Sequence, residues 1–197
     1  MLDWIKNINK EYPEFWKLYQ DKFENKSNRI VVLHTNCTGF NPKKDVILSI
    51  GAIGILTEVI KIGDSFEVEV LQYKYLHDNE LSHDYLSDST FTKLAEPQAI
   101  QALVDYIGSA VLVGYRIHFE IEMINYVLEN MGCGKLRNEA LDIEIMQQKL
   151  VDANTKSFSI EELIKYHKIQ THDSKTVSDT SYSLALLFLK LKSKLGF

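Results

Sequence analysis

The sequence holds 27 Asp and Glu, 6 His and 2 Cys as its ligating and proton-carrying side chains. That balance leaves open a metal site built from oxygen donors, the kind Mg²⁺ and Mn²⁺ prefer. A thiolate site is excluded by spacing. Cys37 sits beside a strand-turn boundary and Cys133 in a Gly-Cys-Gly link, and neither has a CxxC or CxxH neighbour. The same two cysteines form no disulfide framework, which fits a reducing compartment. Polar candidates gather at the ends of apolar runs. His34 and Asn36 stand one residue apart at the close of Arg29-Ile-Val-Val-Leu-His34, so on a strand they point to the same side. Tyr115, Arg116 and Glu120 follow Val111-Leu-Val-Gly114, and Ser174 and Asp179 precede an apolar stretch reaching Leu195. An imidazole can ligate or carry a proton near neutral pH. A carboxylate can ligate a cation, and a guanidinium can pair with a carboxylate or a phosphate.

The elements that must position these groups follow from periodicity. The chain has 197 residues, 45% hydrophobic and 25% charged, with 9 Gly and 3 Pro. This describes one soluble globular domain and excludes collagen-like, low-complexity and wholly disordered chains. Within residues 2–24, Trp4, Ile5, Ile8, Tyr12, Phe15, Trp16 and Tyr19 recur three and four apart, an amphipathic helical pattern. Pro13 suits the start of a second helix there. Residues 1–28 read as an N-terminal helical extension that docks on the main domain or on a partner protein. Its stripe of Tyr12, Trp16, Tyr19 and Phe23 reads as a docking face, or as a platform for stacking bases. Asp3, Lys6, Lys10, Glu11 and Glu14 interrupt any leader-like apolar run. No window reaches the roughly 18 apolar residues of a membrane span, so a cytoplasmic location is expected.

Three strands come next, at residues 29–34, 46–56 and 65–76, the last alternating Phe66, Val68 and Val70 with Glu67 and Glu69. Their short links predict an antiparallel meander. A turn covers residues 35–44, where Lys43 and Lys44 read as a wet loop or a phosphate contact, and a loop covers residues 76–95. Helices at 97–108, 119–131, 141–151 and 179–195 then surround a buried strand at 111–114. Ser159 with Glu162 opens one more helix with a capping box. The expected fold class is α/β, a mixed sheet with helices on both sides.

Three segments together resemble the DnaQ-like family of DEDD-type 3′–5′ exonucleases, of the DNA polymerase III epsilon kind. Val31-Val-Leu-His-Thr-Asn-Cys-Thr-Gly-Phe40, followed by Ile47-Leu-Ser-Ile-Gly-Ala52, stands where the family has Asp-x-Glu-Thr-Thr-Gly and an Ile-Gly-Ala strand. Leu112-Val-Gly-Tyr-Arg-Ile-His-Phe-Glu120 stands where it has Leu-Val-Gly-His-Asn-x-x-Phe-Asp. Ser174-Lys-Thr-Val-Ser-Asp179 stands where it has His-x-Ala-x-x-Asp. The resemblance covers residues 29–197. It implies a ribonuclease-H-like fold with a five-stranded sheet, an antiparallel meander followed by parallel strands. It also implies a site for two divalent metals, with partners among single-stranded nucleic acid 3′ ends.

Carried over residue by residue, the family's catalytic positions fall on His34, Asn36, Glu120, Ser174 and Asp179. Its substrate-binding positions fall on Thr38, Gly39, Tyr115 and Arg116. Two-metal phosphodiester cleavage needs hard oxygen ligands around ions about 3.5–4 Å apart. Here His34 and Asn36 replace two of the four acids, Glu120 is one methylene longer, and Ser174 replaces the general base. The substitutions predict a catalytically impaired domain, acting in nucleic-acid binding or protein docking and needing no cofactor. The alternative is an active exonuclease with an altered site. One Mg²⁺ or Mn²⁺ would then sit on His34, Glu120 and Asp179, and His172 would serve as base. Each residue also has a plainer reading. His34 reads as an inert strand-end histidine, Glu120 as a first-turn acid, Asp179 as a helix N-cap, and Arg116 as a solvated cation, against its functional reading as a metal-replacing partner for Glu120 or Asp179. The net charge of −5 places any polyanion contact in a local patch rather than a global field.

Overall fold

The computed structural model describes residues 11–25, 27–72, 92–152, 157–171 and 176–196. Strand β1 (Ile30–Cys37) sets the architecture by its alternation. Val31 and Leu33 face one core, while Val32 faces the other. Both of its edges must therefore be paired and both of its faces covered. Strand β2 (Ile47–Leu56) pairs antiparallel to β1, and β3 (Val59–Leu71) antiparallel to β2. Thr57 and Glu58 both take left-handed backbone, at φ 49° and 62°, as a tight two-residue hairpin turn requires. On the other edge β5 (Val111–Gly114) lies parallel to β1, with β6 (Ala140–Asp142) parallel to it. A short β4 (Lys93–Ala95) lies parallel to β3.

The sheet order is β4-β3-β2-β1-β5-β6. The mixed sheet, its meander and its parallel half are as the sequence predicts, but it has six strands rather than five. Lys93–Ala95 lies in a stretch read as loop, and Ala140–Asp142 overlaps a stretch read as helix. Three residues are too few to show alternation, and backbone bonds from β3 and β5 make these strands.

One face carries α1 (Glu14–Asp21), α2 (Glu96–Ile107) and α3 (Ile117–Asn130). The other carries α4 (Ile143–Leu150), α5 (Ile160–Tyr166) and α6 (Val177–Leu195). Pro13 is the N-cap of α1, and α5 opens on the Ser159–Glu162 capping box. Trp16 and Tyr19 of α1 have no exposed surface. The Tyr19 hydroxyl donates to Asn138 Oδ1 at 2.7 Å and accepts the Arg137 N–H at 2.8 Å, and burial pushes its pKa up to about 12. Trp16 and Tyr19 are thus spent on this chain's own core and cannot stack on bases. Trp4, Ile5 and Ile8 lie outside the described residues. No described helix is long and apolar enough to cross a membrane.

A polar pin closes the far end of the meander. Arg29 donates through Nε and Nη2 to the two Asp64 oxygens at 2.8 and 2.7 Å, and through Nη1 to the Tyr106 carbonyl at 2.7 Å. The guanidinium lies 4.5 Å from the Tyr106 ring centroid. The hydrogen bond from Arg29 holds the Asp64 carboxyl below the usual carboxylate range. A depressed folded-state pKa contributes stability that is complete above the unfolded value, about 3.9, and is lost as pH falls through the folded value. Asp64→Asn is therefore expected to cost about 1–2 kcal/mol at pH 7. The gap in melting temperature between variant and parent should close as pH falls below about 4. A gap independent of pH would show that the ion pair contributes nothing.

Candidate functional site

The site starts from the register of the sheet. On the α6 side His34 pairs with Gly51 and Gly51 with Glu67, while Asn36 pairs with Ser49 and Ser49 with Glu69. The first turn of α6 lies directly on Gly51. A Cβ there would come within 2.5 Å of the Val177 carbonyl carbon. The small residue of the Ile50-Gly51-Ala52 motif thus lets the last helix cross the row that carries His34.

His34 meets Glu120 from α3. The His34 Nδ1 lies 3.1 Å from Glu120 Oε1, and the Thr35 N–H donates to the same oxygen at 3.1 Å. Glu120 is only 3% exposed. Its Oε2 is buried and has no hydrogen-bond partner among the described residues. Burial raises the Glu120 pKa, opposed by His34 and by the Thr35 N–H. Gly114, at the end of β5, makes room for this carboxylate. A Cβ at that position would lie 2.9 Å from the Leu33 carbonyl oxygen and 3.1 Å from Glu120 Oε2.

The other positions from the sequence are turned elsewhere. Asn36 is exposed and donates through Nδ2 to Ser49 Oγ at 3.2 Å. Asp179 is the third residue of α6 rather than its N-cap. Thr176 is the cap, accepting the Asp179 N–H at 3.1 Å and donating to Asp179 Oδ2 at 2.6 Å. Ser174 and His172 lie outside the described residues. The structure thus joins His34 with Glu120, while Asn36 bonds to Ser49 and Asp179 to the cap residue of its own helix.

Arg116 does not reach Glu120 or Asp179, contrary to that expectation. Its backbone is left-handed, at φ 53°, and its N–H donates to Asp142 Oδ1 at 3.3 Å. Its Nε donates to Glu144 Oε2 at 2.8 Å, and Nη2 to Ser157 Oγ at 2.6 Å. That hydrogen bond lowers the Glu144 pKa. Tyr115 donates its hydroxyl to the Phe158 carbonyl at 2.5 Å. Tyr115 and Arg116 therefore fasten the segment that leads into α5. Glu144 was missed in the sequence, where it reads as one more first-turn acid with no spacing that links it to Arg116.

The turn after β1 is built around one carboxylate. Asp45 accepts from the Thr38 hydroxyl at 3.1 Å and from the Asn41 N–H at 2.8 Å. Gly39 lets this carboxylate lie close to the turn, since a Cβ there would come 2.6 Å from Asp45 Oδ2. This turn presents Phe40, which is 82% exposed, with its ring 5.3 Å from that of Phe119. Phe40 was quoted in the motif but not singled out. One exposed aromatic in a turn carries no periodic signal.

A pair of hard divalent ions does not fit this donor set. The imidazole of His34 is hydrogen-bonded to the carboxylate of Glu120, and Asn36 supplies a carboxamide rather than a second acid. Among the described residues no group of three or more His, Cys, Asp and Glu is placed to hold a metal.

Taken together, the sheet order and its two helical layers are the ribonuclease-H-like fold of the 3′–5′ exonucleases. The particular likenesses are to exonuclease X and exonuclease I. Exonuclease X, solved with 5′-overhanging duplex DNA, matches with a TM-score of 0.55 at 14% identity, over 85% of this chain and 93% of its own. E. coli exonuclease I, solved with a dT13 oligonucleotide, gives 0.64 at 13% identity, over 85% and 42%. Exonuclease I from Methylocaldum szegediense gives 0.62 at 16% identity, over 84% and 40%. This chain therefore spans about two fifths of the length of exonuclease I. No protein-family model matches the sequence, and no curated protein matches it.

Proposed function

We propose that this chain is an exonuclease-fold domain that binds single-stranded nucleic acid ends without cleaving them. The observation that carries this reading is the hydrogen-bonded His34–Glu120 pair at the position where the fold's nucleases need acids free to ligate metal. Hydrolysis of a phosphodiester must stabilise charge on both the attacking and the leaving oxygen. His34, Asn36 and Glu120 offer no second free carboxylate for that task. The binding half of the reading rests on the turn Thr38-Gly39-Phe40. Phe40 offers an exposed ring braced on Phe119, and any base can stack on such a ring. Lys43 and Lys44 follow in the same turn and supply local positive charge in a chain of net charge −5. Binding of this kind is local, salt-sensitive and indifferent to sequence. The free cysteines Cys37 and Cys133 suit a reducing compartment such as the cytoplasm.

The test is one assay with two readouts on a fluorescent single-stranded oligonucleotide with a free 3′ end. Anisotropy should show binding that Phe40→Ala weakens by about 5- to 150-fold, the span of 1–3 kcal/mol per stacked base. Gel analysis with Mg²⁺ and then Mn²⁺ should show no shortening. Shortening that disappears in Asp179→Ala would establish an active exonuclease with an altered site and overturn the reading.

A further inference from the structure

We infer that His34 takes the place of a divalent ion at Glu120, which makes this site metal-independent. The inference rests on the reading above for the ligand, but not for the metal. A carboxylate that is 3% exposed needs a compensating charge or dipole, because burial penalises its ionised form. Arg116 could have met that need, but its guanidinium is held by Glu144 and Ser157. The compensation comes instead from the His34 imidazole and the Thr35 N–H, both on Glu120 Oε1.

A cation approaching this carboxylate would have to displace His34 from Oε1 or reach Oε2. Oε2 is buried, out of contact with solvent, beside Gly114. Two further positions are engaged with other neighbours. Asn36 is neutral and turned to Ser49, and Asp179 Oδ2 accepts from Thr176. His34 itself keeps 17% of its side chain exposed, so solvent meets the pair through this ring rather than through the carboxylate. Its second ring nitrogen makes no hydrogen bond among the described residues.

Calorimetric titration of Mn²⁺ alone into the full chain should show no saturable site. Oligonucleotide affinity should agree within about twofold between EDTA and Mg²⁺ at matched ionic strength. The double variant His34→Asp, Asn36→Glu should acquire a Mn²⁺ site, at least about tenfold tighter than anything in the parent. Mn²⁺ binding to the parent that Glu120→Gln abolishes would overturn the inference. A folded double variant that gains no Mn²⁺ site would overturn it as well. Oligonucleotide binding that requires Mn²⁺ would overturn it while leaving the binding role intact. If no oligonucleotide binds under any condition, the proposed function fails, and the Mn²⁺ titration of the parent still decides the part assigned to His34.

Discussion

Gly51→Ala is expected to lower the unfolding free energy by about 2–3 kcal/mol, an overpacking cost that a surface substitution does not carry. The added Cβ would lie 2.5 Å from the carbonyl carbon of Val177, 2.6 Å from its oxygen and 2.9 Å from the Ser178 nitrogen. These are backbone atoms of a helix start, so no side-chain rotation relieves the contact. Either the first turn of α6 lifts or β2 retreats. Lifting loosens a helix whose Leu184, Leu187, Phe188 and Leu191 are essentially fully buried against the sheet. It also moves Thr176 and Asp179, the cap and the last of the aligned site positions. In a domain of this size the loss corresponds to a fall in melting temperature of about 4–12 °C. Gly63→Ala is the control: a Cβ there meets nothing within 4 Å. It should change stability by less than about 0.5 kcal/mol. Equal melting temperatures for the two variants would refute the packing of α6 on Gly51.

The second large effect concerns α1. Trp16→Ala should cost about 3–5 kcal/mol, the range for deleting a large aromatic from a core. Trp16 has no exposed surface, and its ring lies 4.7 Å from that of Tyr19, which in turn bonds to Arg137 and Asn138. Asn138 donates onward to the carbonyls of Gly108 and Ala110, so the network ties α1 to the turn ahead of β5. Leu18→Ala on the same helix removes a side chain from a residue that is 55% exposed and should be nearly silent. The measurement is denaturant unfolding of all three proteins. A Trp16→Ala midpoint equal to the parent's would mean that α1 rests on the domain without contributing to its core.

These two residues mark the limit of what could be read in advance. Gly51 was visible as part of an Ile-Gly-Ala motif, but not as the crossing point of α6. That contact joins residues 51 and 177, and the sequence pattern does not encode which helix lies above a given strand. Trp16 was visible as one residue of an aromatic stripe, and periodicity gives a face without naming what covers it. The two short strands at Lys93–Ala95 and Ala140–Asp142 escaped because pairing with a neighbour, not their own pattern, makes them strands. Glu144 and Phe40 escaped because each acts through contacts distant in sequence.

By itself the amino-acid sequence determined the meander, the capping box at Ser159 and Glu162, and the sheet's covering on both faces. It also set His34 and Asn36 one residue apart on β1, on the same side of that strand. Those features depend on neighbours within a few residues, where backbone geometry leaves few choices. Tertiary structure alone decided the partners. His34 and Glu120 are 86 residues apart, and Arg116 and Glu144 are 28 apart. Either acid could have drawn either basic side chain. The parallel pairing of β5 with β1, and the left-handed backbone at Arg116, aim the guanidinium away from Glu120 and leave the buried carboxylate to the imidazole. Burial then gives that choice its weight, because a carboxylate shut off from water must be compensated by whatever the fold has placed beside it.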